Sequence, residues 1–186
     1  MLIWLLIVLN LLICAWDSYA AGLLWGIDVK KKGLTRLIAG SALTIGFIGM
    51  LYTFVLIGIV FGLVPETYLL AANVILGLPL IAAGIVITIQ GWIDTIRNRS
   101  FLGGLISVWN TFALIWNIKV WIDSFRAIKE LGIVNVLKSD NDSKAKVILF
   151  LIVAVITAGL ISFGLFKVGK KTSENLIAGT RNVELK

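Results

Sequence analysis

Hydrophobic and polar positions along this chain fall into long apolar runs separated by short charged blocks, without the sustained alternation of a half-buried strand. No charge interrupts Leu37 to Pro65, Thr67 to Ile93 or Val147 to Phe166. A bilayer's hydrocarbon slab is about 30 Å thick and takes roughly 20 helical residues to cross, because a helix satisfies its own backbone where no water can. All three runs meet that length.

Two further segments are apolar but carry polar residues. Leu2 to Ile27 is interrupted by Asp17, and Phe101 to Ile122 contains Asn110, Asn117 and Lys119. Met1 to Trp16 alone would make a helix of about 24 Å, too short for the slab. The first span is therefore predicted to continue past Asp17, which puts a carboxylate at membrane depth. In the other segment Ser100 to Ile118 is uncharged, and the long stem of Lys119 lets its ammonium snorkel to the boundary.

The fold class read from this pattern is all-α, a polytopic transmembrane helical bundle with five spans at 2–27, 37–64, 68–93, 101–122 and 147–166. The alternative is four spans plus one interfacial or re-entrant helix at 101–122. Residues 1–166 form one transmembrane domain in this reading, and 167–186 a polar C-terminal tail.

The connections follow from local chemistry. Val64-Pro65-Glu66-Thr67 predicts a tight hairpin, with a proline stop and then Thr67 as a cap. Pro79 removes one helical hydrogen bond and predicts a kink near Gly77 to Ala83. From 124 to 138, Phe125, Ile128 and Leu131 alternate with Arg126, Lys129 and Glu130 at helical spacing, as in an amphipathic segment lying in the interface. The polar turn Ser139 to Ser143 is not a calcium loop, because its fifth ligand position would be Lys144 and the required glycine is missing.

Composition agrees. The chain is 59% hydrophobic, with a mean hydropathy of +1.01, against roughly 45–50% apolar residues in soluble domains. The net charge of +7 resides beside the spans, in Lys30, Lys31, Lys32 and Arg36, Arg97 and Arg99, and Lys167, Lys170 and Lys171. That placement fits a bilayer with anionic headgroups as partner and no nucleic acid. With five spans, the positive-inside tendency puts these residues in the cytoplasm and the N-terminus outside, with a cell membrane as the expected residence. Arg126, Lys129, Lys138, Lys144 and Lys146 then lie outside, against the tendency, so charge alone does not choose between five spans and four. Ser18-Tyr19-Ala20 resembles a signal-peptidase site, but no basic region precedes the apolar run, and an uncleaved span is expected.

Candidate chemistry is sparse. The chain has no histidine and one cysteine, Cys14, which removes the usual general base, most zinc, copper and haem sites and any iron–sulfur cluster. No nucleotide-binding or nucleophile motif is present. No metal, cofactor or enzymatic activity is expected.

Polar residues at membrane depth are the natural candidates for a site. Asn10, Cys14, Asp17 and Ala21 share one face of the first span, and Gly103, Ser107, Asn110, Asn117 and Ser124 one face of the fourth. An offset of one hundred residues superposes Asn10, Trp16 and Asp17 on Asn110, Trp116 and Asn117, a pattern of the kind inverted repeats leave. The candidate intramembrane polar site is Asn10, Asp17, Asn110 and Asn117. Small residues mark packing faces: Ala42, Gly46, Gly49 and Thr53; Gly58 and Gly62 in a GxxxG; Ala154, Ala158 and Ser162. Trp4, Trp25, Trp92 and Trp121 fit an interfacial belt, whereas Trp109 and Trp116 sit deeper.

Together these features predict a non-catalytic accessory or structural subunit, or a homo-oligomer, acting through contacts within the membrane. The alternative is a small channel or transporter using the polar site.

Overall fold

The computed structural model describes residues 2–27, 32–132 and 141–184. They form five helices: α1 (Leu2–Gly26), α2 (Lys32–Val60), α3 (Thr67–Asn98), α4 (Phe101–Leu131) and α5 (Asn141–Glu184). Each is long and apolar enough to cross a membrane. The outside of the bundle is apolar, with Phe101 81%, Ile96 73%, Leu160 71% and Ile75 70% exposed. Water would not tolerate that surface, whereas lipid covers it without cost. The chain is an all-α integral membrane bundle.

Helices α1, α2 and α5 pack mutually and enclose the core, in which Cys14, Met50, Leu51, Ala154 and Ala158 are buried together. Helix α1 runs antiparallel to α2 and parallel to α5. The small-residue faces explain how closely the axes approach. Gly46 lies against Ser18 and the Cys14 carbonyl, and Gly49 against the Cys14 thiol. A Cβ on Gly22 would strike the Phe166 carbonyl of α5, and one on Gly169 would strike the Tyr19 carbonyl of α1. Ser162 Oγ reaches Met50 Sδ at 3.4 Å, and Ala154 and Ala158 line the same buried stripe.

Helices α3 and α4 form an antiparallel hairpin closed by Arg99 and Ser100. Arg99 takes a left-handed conformation (φ 49°), and Ser100 Oγ accepts from Gly103 N at 3.1 Å, capping α4. Polar contacts rivet the pair along its length: Thr95 with Ser107 at 3.0 Å, Trp92 Nε1 to Thr111 Oγ1 at 3.0 Å, Trp121 Nε1 to the Val74 carbonyl at 3.1 Å and Asn73 Nδ2 to Ser124 Oγ at 2.9 Å. Trp121 is thus bonded into the hairpin, well inside α4 and not at its end.

Several expectations are corrected. Gly58 and Gly62 do not form a helical packing motif, because α2 ends at Val60 and Gly62 has φ +68° with nothing near it. Gly62 is the helix stop: its N–H bonds the Ile59 carbonyl and Leu63 N bonds the Gly58 carbonyl. Gly58 does pack, against the Phe150 ring and Val64. Thr67 does not cap α3; Glu66 holds the cap position without a side-chain bond.

Residues 124–131 are not a separate interfacial helix, since α4 continues through them without a break; 133–140 lie outside the described residues. The expected polar turn falls partly outside them too, and α5 begins at Asn141. Pro79 sits within an uninterrupted α3. Nor is 167–184 a tail: α5 runs on for 44 residues, about 66 Å. The reason is that Gly169 and Ser173, both buried, continue the stripe of Ala158 and Ser162 against α1 while Lys167 and Lys171 stay exposed on the other faces.

Candidate functional site

The two bodies meet along one seam, between α2 and α3, where Tyr52 Oη donates to the Ala72 carbonyl at 3.1 Å. Among the described helices, no Cα of α1 comes within 8 Å of one of α4. The gap between them is a partly open cleft of about 460 Å³, lined also by residues of α2 and α3. Its walls are mostly apolar, including Ile13, Ile45, Leu69, Leu80 and Val120.

Polar groups enter from four helices. From α1 come Asn10 and Asp17, from α2 Tyr52, from α3 Asn73 and from α4 Asn117. They divide by whether the fold already uses them. Asn10 Nδ2 donates to Thr53 Oγ1 at 2.6 Å and lies 3.2 Å from the Gly49 carbonyl, so it fastens α1 to α2. Tyr52 and Asn73 are committed to the α2–α3 and α3–α4 seams. Asp17 and Asn117 have no hydrogen-bond or ion-pair partner among the described residues. Asp17 is the one carboxylate lining the cleft.

Three of the four residues singled out by sequence, Asn10, Asp17 and Asn117, therefore share this cleft. Asn110 does not; it faces Gly91 of α3, two helical turns from Asn117. Tyr52 and Asn73 complete the lining and were missed. The available signal was an amide and a phenol inside otherwise uncharged spans, where each needs a partner.

The hundred-residue offset has a partial counterpart in space. Asp17 and Asn117 line the cleft from opposite flanks, and Trp16 and Trp116 are 63% and 54% exposed, but Trp116 also lines the cleft whereas Trp16 does not. Asn10 and Asn110 break the correspondence.

Along α1 the polar lining extends from Asn10 to Asp17, a rise of about 10 Å. It covers about a third of the hydrocarbon slab. The arrangement is a pocket with one carboxyl group and one amide available to an incoming donor. No family model, curated protein or solved structure matches the chain.

Proposed function

We propose that this chain is a non-catalytic subunit of a membrane assembly, acting by receiving a helix of a partner, or of a second copy, in the cleft between α1 and α4. One observation carries the reading: Asp17 and Asn117 stand in an open cleft without a hydrogen-bond or ion-pair partner among the described residues, while the polar groups around them are bonded within the fold. A charge near the bilayer centre costs about 2.5–3.5 kcal/mol unless it is matched or wetted. A helix presenting a basic or hydrogen-bond-donating side chain would match it, and its apolar remainder would cover the cleft walls. The positive charge of the end bearing Arg36, Arg97, Arg99, Lys167 and Lys170 supports a cytoplasmic placement of that end, with the N-terminus outside.

Copurification in mild detergent followed by native mass spectrometry tests this. The expected particle carries a second chain, and Asp17→Leu together with Asn117→Leu releases it. A strictly monomeric particle with no retained protein overturns the proposal.

A second reading draws on the convergence of Asp17, Asn117, Asn73 and Tyr52 on one cavity: a binding site for a small cation or polar solute in a channel or transporter. It predicts flux in proteoliposomes that falls with Asp17→Asn. The short extent of the polar lining favours the first reading.

A further inference from the structure

A second surface feature lies away from the cleft, where α5 leaves the apolar part of its sequence. Four contacts join five side chains of three helices into one row. Lys167 Nζ stands 4.8 Å over the Phe163 ring, Phe163 stacks on Phe166 at 6.1 Å, Phe166 meets Trp25 edge-on at 5.8 Å, and the Arg36 guanidinium lies 5.6 Å over Trp25. The result is a three-ring shelf with a cation at each end.

The cations are held against the rings, and among the described residues their charges are unspent. Arg36 and Lys167 have no carboxylate partner among the described residues, whereas neighbouring Lys170 lies 3.7 Å from Glu174. Ring faces fix the two cations electrostatically without neutralising them. The shelf also sits at the right depth, because Phe166 is the last residue of the uncharged run and Lys167 the first charge beyond it. Aromatic rings favour that boundary, and basic groups there meet lipid phosphates.

The geometry points to a binding site for anionic phospholipid headgroups, with a phosphate drawn to the cation at either end of the shelf, Arg36 or Lys167, and the glycerol and upper acyl chain lying on Phe163, Phe166 and Trp25. Diffuse attraction to a negative membrane would spread over every basic residue. This site concentrates it on two.

The test uses the full chain in nanodiscs of phosphatidylcholine with a small fraction of phosphatidylglycerol, comparing wild type with Arg36→Gln/Lys167→Gln. Lys119→Gln serves as control, because Lys119 also stands over an indole, Trp116 at 5.6 Å, but without a second cation across a shelf. The double variant is expected to lose about tenfold in phosphatidylglycerol affinity, equivalent to about 1.4 kcal/mol, with Lys119→Gln unchanged. Circular dichroism checks the fold, and Arg36→Lys, which keeps the charge, is expected to retain most of the binding. Unchanged affinity in the double variant, or an equal loss in Lys119→Gln, overturns the proposal. Displacement of the lipid by millimolar inorganic phosphate would assign the site to free phosphate instead and overturn the lipid assignment.

Discussion

The side-chain amide of Asn10 reaches from α1 to the hydroxyl of Thr53 on α2 at 2.6 Å, and Thr53 in turn donates to the Gly49 carbonyl at 2.9 Å. Thr53 is fully buried, so water cannot replace the contact. Asn10→Ala is expected to destabilise the bundle by about 0.6 kcal/mol, with about 1.7 kcal/mol as an upper bound. A double-mutant cycle with Thr53→Ala, read by unfolding in mixed micelles, isolates the pair. A coupling energy indistinguishable from zero would show that the amide is not a fastener.

Gly22 of α1 leaves no room for a side chain opposite the Phe166 carbonyl, a backbone atom that has nowhere to move. Gly22→Leu should force α1 and α5 apart and cost about 1–3 kcal/mol, as overpacking does. Gly164→Leu is the matched control, since nothing lies within 4 Å of its would-be Cβ. Equal tolerance of the two substitutions would contradict the close approach.

Thr88 of α3 buries a hydroxyl that finds no partner among the described residues. Replacing it with the isosteric Val removes an unsatisfied group at nearly constant volume, so Thr88→Val should stabilise by about 1 kcal/mol. For a chain of this size that corresponds to a rise of about 2–4 °C in thermal midpoint. A fall of similar size would mean the hydroxyl is bonded in the membrane.

A substitution at Asp17 can separate stability from the proposed function. Its carboxylate contributes no hydrogen bond or ion pair to the fold among the described residues, so Asp17→Asn is expected to leave thermal stability unchanged or higher while weakening retention of the partner. A drop of about 1 kcal/mol, about 2–4 °C, with undiminished retention would make Asp17 a structural residue.

What the sequence disclosed, and what it withheld, follows from the kind of force involved. Apolar runs announce spans because transfer from water to lipid is set by composition, and the face of Gly46 and Gly49 was legible because close packing demands small residues at helical spacing. The extension of α5 was hidden, since hydropathy stops at Phe166 while the stripe that holds the helix to α1 continues in Gly169 and Ser173. Gly62 was misread because a stop and a packing residue look alike until φ is known. The cleft was half legible. Asp17 and Asn117 stood out as costly residues in lipid, but nothing in their spacing says that α1 and α4 stay apart, which depends on all five helices together.

That separation has a mechanical corollary. Among the described helices, α4 rests on α3 alone and α3 meets the three-helix body through α2. The hairpin is therefore anchored to that body along one flank only, and the Tyr52–Ala72 bond crosses the joint from which the far wall of the cleft stands off.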